Sequence, residues 1–251
     1  MTYTNPMKEY TIDQVSIPFD KNWSRIAVSV SGGADSALLL YLLCQLAKEH
    51  NPKLSIHVIS HIRCWKTKPW QEYDSYQVYE FISKKFNFFN WYRHVNFIAP
   101  DLEYGTTGPS LTDEYGKKVS GDNIQIRSYS EYICHKFKVQ AYYNAVTRNP
   151  KNVEFKGMVE RDIEETDTNK HLRIMTHMDK FAIHPFRFVE KKWVVKQYQR
   201  LNLLNLFDLT RSCEGEFENI NYLNYRLGMN VPTCGNCFWC KERKWAIEQS
   251  K

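Results

Sequence analysis

No apolar run in this chain is long enough to cross a bilayer: the longest, Ala37 to Leu43, falls far short of the roughly 20 residues a membrane helix requires. Met1 to Asp20 has neither an apolar h-region nor a cleavage signature, so nothing marks the chain for secretion and residence in the cytoplasm is expected. The net charge of +6 gathers into no continuous basic arm; it is scattered in pairs such as Lys84-Lys85, Lys117-Lys118 and Lys191-Lys192, as on a solvated surface, and a nucleic-acid partner is not required. Internal repeats and low-complexity tracts are missing. So are two widespread phosphate-binding motifs, Gly-x-x-x-x-Gly-Lys-Ser/Thr and Gly-x-Gly-x-x-Gly. At 251 residues the chain can bury a sizeable core without a disulfide framework.

What is there reads as a single α/β domain over residues 1–251, with 1–22 as an N-terminal extension and 205–251 as a C-terminal cysteine segment. Arg25 to Val30 is a short β-branched run ended by two glycines, as in a buried strand, and Ser36 to Lys48 is a helix apolar on nearly every side. Leu54 to Ser60 is a second strand, Trp70 to Phe86 an amphipathic helix, and Trp91 to Ile98 a third strand. That alternation predicts a Rossmann-like parallel sheet with helices on both faces. Further on, the pattern gives a long loop from Pro100 to Asn123, a helix over Ile126–Phe137 and a strand over Val139–Val146. A polar stretch from Arg148 to Asn169 follows, then helices over Lys191–Leu204 and Lys241–Gln249.

Chemistry concentrates in two places. Ser31-Gly32-Gly33-Ala34-Asp35-Ser36 leaves the first strand and opens the first helix. Glycines let the backbone turn sharply and come close to a ligand. The free amides and dipole of the helix start favour an anion, and Ser31 and Ser36 add hydroxyls. Asp35 sits oddly beside a phosphate unless Mg²⁺ lies between them. The bland alternative is a Gly-Gly turn in which Asp35 or Ser36 merely caps the helix.

The second place is Cys234-Gly-Asn-Cys237-Phe-Trp-Cys240, with Cys213 upstream in Thr210-Arg-Ser-Cys213. Four thiolates suit one tetrahedral Zn²⁺; an iron–sulfur cluster or a redox Cys-x-x-Cys pair would use the same residue types. Cys44, Cys64 and Cys134 have no partner spacing and read as small core residues.

The six loop residues match the SGGxDS signature of the PP-loop ATP pyrophosphatase superfamily, whose members cut ATP between its α- and β-phosphates to adenylate a substrate. Together with the cysteine motif they resemble one branch, the QueC-like 7-cyano-7-deazaguanine (preQ0) synthases. His184-Pro185-Phe186 with Lys191 is similar to that family's segment carrying a lysine near the phosphates.

The resemblance implies an ATP-dependent ligase with ATP, Mg²⁺ and Zn²⁺ as cofactors. A deazapurine carboxylate and ammonia would become a nitrile through an acyl-adenylate, with release of AMP and pyrophosphate. Ser29, Ser31, Gly32, Gly33, Ala34, Asp35 and Ser36 would hold the nucleotide, with His57, Ser60 and His61 near the adenine. Asp35, Ser36, Lys191 and Arg127 would serve the chemistry, and Cys213, Cys234, Cys237 and Cys240 would bind zinc. The family's members are often homodimers. Lys191 as a surface lysine and Arg127 in a structural ion pair are the rival readings. The family's Tyr-Pro-Asp-Cys-Arg stretch has no counterpart in Thr147 to Asp167, which leaves three other readings open: a different acceptor acid or a protein substrate, a tRNA-modifying enzyme of the thiolase or lysidine synthase type, and a nucleotide-binding module without turnover.

Overall fold

The computed structural model describes residues 7–63, 70–87, 90–98, 111–112, 118–119, 121–158, 161, 172–175, 180–214 and 233–251. The polar segment read as an N-terminal extension contains an antiparallel hairpin of β1 (Lys8–Ile12) and β2 (Val15–Phe19). Alternation explains it: Val15, Ile17 and Phe19 face inward and join the main core, while Ser16 stays at the surface side.

The expected strand and helix follow as β3 (Arg25–Ser29) and α1 (Ala34–His50). Ile26, Ala27 and Val28 are all buried, as in a central strand covered on both faces. Ala37 to Leu43 are buried without exception, so α1 is a core helix rather than an amphipathic one. Next come β4 (Ser55–Arg63), α2 (Gln71–Lys85), β5 (Asn90–Ile98), a two-residue pair β6 (Leu111–Thr112) and β7 (Lys118–Val119), α3 (Gly121–Lys136) and β8 (Ala141–Tyr143). The chain then forms β9 (Leu172–Met175), β10 (Lys180–Ile183), α4 (Lys191–Arg200), α5 (Leu204–Asp208) and α6 (Phe238–Glu248).

The principal sheet has strand order β5-β4-β3-β8-β10-β9. All neighbours pair in parallel except β9, which is antiparallel at the edge. Helices cover both faces. One layer contains α1, packed with the hairpin, α2, α4 and α5; on the other, Ile133 and Cys134 of α3 pack on Ala27, Ile59 and Tyr142. From β3 the chain winds one way through β4 to β5, then returns to place β8 on the opposite side of β3. The crevice outside the carboxyl ends of β3 and β8 is therefore the topological switch point, where such sheets bind ligands.

Several boundaries differ from those read in the sequence. The strand expected over Val139–Val146 keeps only Ala141 to Tyr143, because Asn144 onward leaves the sheet to wall the crevice. The helix expected to reach Leu204 stops at Arg200. Asn202 adopts φ 52°, Leu203 donates its N–H to the Tyr198 carbonyl at 2.8 Å, and Asn202 donates to Gln199 at 3.1 Å, a Schellman ending. Helix α3 takes over the end of the expected Pro100–Asn123 loop; most of that loop, most of 159–171 and Cys64 lie outside the described residues. Cys44 and Cys134 are buried, as expected. Among the described residues no helix is long and apolar enough to cross a membrane.

Candidate functional site: a loop cavity and a four-cysteine cluster

After β3 the chain makes its turn on Gly32, at φ 80°. A Cβ there would lie 2.7 Å from Asp74 Cβ and 2.8 Å from the Ser75 nitrogen at the start of α2, so the close approach of two backbones requires glycine. Gly33 is extended and starts α1, and the first intrahelical bond runs from Ala37 N–H to the Gly33 carbonyl at 3.1 Å. The amides of Ala34, Asp35 and Ser36 thus have no intrahelical acceptor and carry the positive end of the helix dipole. No side chain caps the helix, which removes the reading of Asp35 or Ser36 as a simple N-cap. The Ser36 hydroxyl donates to the Gly33 carbonyl at 3.1 Å and accepts the Ser31 N–H at 3.2 Å, fixing the loop on itself.

Ser31, Gly33, Asp35 and Ser36 form one side of a cavity of about 200 Å³ at the switch point. Asn144 to Thr147, leaving β8, form a second side; Arg161, Lys191, Arg211, Ser212 and Trp239 close it. Lys191 is buried, not a surface lysine, although its neighbour Lys192 is partly exposed. Its Nζ lies 2.8 Å from Asp35 Oδ2 and 3.7 Å from Glu242 Oε2. Thr147 also donates to Asp35 Oδ2, at 3.4 Å, while Asp35 Oδ1 is buried with no hydrogen-bond partner among the described residues. Glu242 is fully buried and receives both terminal nitrogens of Arg161, at 2.8 and 2.9 Å. The Arg161 guanidinium lies over the Trp239 ring at 4.8 Å and donates to the Thr147 hydroxyl at 3.0 Å. Two carboxylates and two cations therefore share one desolvated network, the arrangement in which buried charges are tolerated.

Not every residue expected at the nucleotide is brought to this cavity. His57 is buried on the α3 side, its Nδ1 2.9 Å from His94 Nε2 and its ring stacked on Tyr92. Burial first, then the neighbouring His94, lowers its pKa to about 4. His61 contacts Ser130 Oγ at 3.0 Å through Nε2 and Asn96 at 3.2 Å through Nδ1, and burial likewise lowers its pKa to about 4. Ser60 is buried in β4, and Ser29 hydrogen-bonds Tyr142. None of these lines the cavity. Gly32 packs against α2, and the Ala34 carbonyl accepts the Tyr198 hydroxyl at 2.7 Å. Arg127 is exposed on α3, 2.9 Å from Glu131 as in the ion-pair reading, and does not line this cavity.

Reading the sequence missed Thr147, Arg161, Arg211, Ser212 and Glu242. Glu242 had a signal: Phe238, Glu242 and Ala246 recur every four residues and are all buried, which puts a carboxylate in an apolar stripe. Arg161 had none, because its partners are set by tertiary folding alone.

The Sγ atoms of Cys213, Cys234, Cys237 and Cys240 all lie within 4.8 Å of one another, with Cys234 and Cys240 at 3.9 Å. Four sulfurs at about 2.3 Å from one tetrahedral ion would be separated by about 3.8 Å, so the group could hold a single metal. A four-iron cube gives each thiolate its own iron and spreads the sulfurs farther apart. Gly235 turns at φ 71°, and Cys234 N–H reaches Cys213 Sγ at 3.3 Å, as Cys237 N–H reaches Cys234 Sγ at 3.3 Å. Burial opposes ionisation of Cys234, but the N–H groups of Cys237 and Asn236 outweigh it and lower its pKa to about 7. Burial, then the neighbouring thiols, raises that of Cys240. Four thiolates this close need a cation to coexist.

The cluster abuts the cavity. Trp70, at the start of α2, packs on the cysteines and donates its indole N–H to the Cys213 carbonyl at 3.0 Å. The Arg211 guanidinium lies 4.5 Å over the Trp70 ring.

No protein-family profile matches the chain, and no curated protein matches it in sequence. Among solved structures it is similar to a U34-tRNA thiolase, NcsA from Methanococcus maripaludis with its [4Fe-4S] cluster, at 14% identity and a TM-score of 0.46, over 90% of this chain and 71% of that one.

Proposed function

We propose that this chain is an ATP-dependent adenylating enzyme of the PP-loop type, resembling the 7-cyano-7-deazaguanine synthases, with a structural zinc ion in its cysteine cluster. The observation that carries the reading is the placement of Ser31 to Ser36: an SGGADS turn at the switch point of a parallel sheet, opening into a cavity with a buried lysine opposite.

The amides of Ala34 to Ser36 and the hydroxyls of Ser31 and Ser36 would hold the pyrophosphate of ATP, with the helix dipole adding to the attraction. Asp35, whose Oδ1 has no hydrogen-bond partner among the described residues, suits Mg²⁺, which takes carboxylate and phosphate oxygens and would supply charge neutralisation between them. Lys191 would offset negative charge growing on the leaving pyrophosphate. A carboxylate oxygen of the acceptor attacks the α-phosphorus, the bond to the β-phosphate oxygen breaks, and pyrophosphate leaves with that electron pair. Ammonia then attacks the acyl carbon and AMP departs, giving an amide; the amide oxygen attacks the α-phosphorus of a second ATP, pyrophosphate leaves, and AMP departs with that oxygen as the nitrogen gives up its protons, giving the nitrile. The protein's share is alignment and exclusion of water.

The test is pyrophosphate release with ATP, Mg²⁺ and ammonia across a panel of carboxylates that includes 7-carboxy-7-deazaguanine, with products identified by mass spectrometry. A nitrile or amide product, and a loss of turnover of about 10²–10³ in Asp35→Asn, are expected. Tight, salt-dependent tRNA binding with no acid-dependent pyrophosphate release would overturn the small-molecule acceptor in favour of tRNA modification.

A further inference from the structure

One ammonium lies between two carboxylates in this site. Lys191 Nζ touches Asp35 Oδ2 at 2.8 Å and faces Glu242 Oε2 at 3.7 Å. Glu242 is not free to follow it, because both its oxygens are clamped by Arg161 at 2.8 and 2.9 Å and it is fully buried on α6. Asp35 is less constrained: it lines the cavity, and among the described residues only its Oδ2 is engaged. A carboxylate that pairs fully with a lysine is a poor ligand for a cation, since the ammonium occupies its lone pairs and opposes its charge.

Resting on the proposed nucleotide site, we propose that Glu242 is a positioning residue: it anchors Lys191 in the cavity wall and thereby releases Asp35 to take the Mg²⁺ of a bound triphosphate. Glu242 touches neither nucleotide nor acceptor in this scheme. It acts through Lys191, which has a second carboxylate to turn to when Asp35 takes up the cation. Arg161 keeps the anchor fixed, so the lysine moves and the glutamate does not.

The experiment measures nucleotide binding by the whole protein as a function of Mg²⁺, by calorimetry, alongside melting temperature and metal content. Glu242→Gln keeps the shape and removes the charge. The Mg²⁺ concentration at half-effect should rise roughly tenfold, with metal content unchanged. Removing the lysine as well, in Glu242→Gln/Lys191→Met, should bring it back toward the wild-type value, because Asp35 then has no competing cation. A loss of stability alone would not produce that reversal. An unchanged Mg²⁺ dependence in Glu242→Gln, or no reversal in the double variant, overturns the proposal while leaving the nucleotide site standing. Absence of any Mg²⁺-linked nucleotide binding in the wild type overturns both. Should Glu242→Gln fail to fold, Lys191→Met alone decides: it should lower the Mg²⁺ requirement, and a higher or equal requirement refutes the role.

Discussion

Arg211 donates its backbone N–H to the carbonyl of Gly32 at 2.8 Å, two residues before Cys213 enters the four-sulfur cluster. The glycine turn is thus held from two directions, by α2 beneath it and by the cysteine-bearing segment beside it.

Gly32→Ala should therefore be far more damaging than Gly157→Ala. Both glycines have positive φ, at 80° and 79°, and each substitution meets the conformational penalty of about 1–2 kcal/mol. At Gly32 the new methyl also collides with backbone, a further cost of about 1–3 kcal/mol; at Gly157 nothing among the described residues lies within 4 Å. Urea denaturation of the two variants measures the difference, and equal midpoints would contradict the packing described for Gly32.

Metal analysis of the purified protein should find one zinc ion per chain in the four-cysteine group. Its removal by a chelator should lower the melting temperature by at least about 5 °C and weaken nucleotide binding, since Cys213 and Arg211 lose their anchorage together. Iron with the visible absorption of a sulfur cluster would refute the single-ion reading.

Stability should fall on mild acidification. Unfolded histidines take up a proton near the ordinary 6.5, whereas His57 and His61 do so only near 4. Between these values the unfolded chain binds more protons than the native one. The contribution of the two buried neutral rings is complete above about pH 6.5 and declines as pH drops toward 4, at a slope of up to about 1.4 kcal/mol per pH unit for each ring. Denaturant titrations at pH 7, 5.5 and 4.5 test this, and His61→Gln should flatten the dependence.

The glycine loop and the cysteine spacing were legible because each is written in a few adjacent residues whose chemistry is local. The central strands were legible too, since Arg25 to Val30 and Leu54 to Ser60 are short stretches rich in β-branched residues. The hairpin was not: Val15, Ile17 and Phe19 alternate over too short a stretch, amid polar neighbours, to stand out. His57 and His61 looked like pocket residues because they sit on a strand beside the loop, yet side chains alternate across a strand, and theirs fall on the α3 side. The rest of the closing wall was illegible for another reason. Lys191 was visible through the family segment it resembles and Glu242 as a carboxylate in an apolar stripe, but Arg161 has meaning only as a partner of Glu242 and Thr147, and such pairing leaves no trace in the sequence.

Asp35 and Lys191 lie 156 residues apart along the chain, and the carboxylate that steadies Lys191 is later still. A ribosome exposes the glycine turn long before it makes Lys191 or Glu242. On the proposed function, affinity for nucleotide should therefore arise only after α6 has docked.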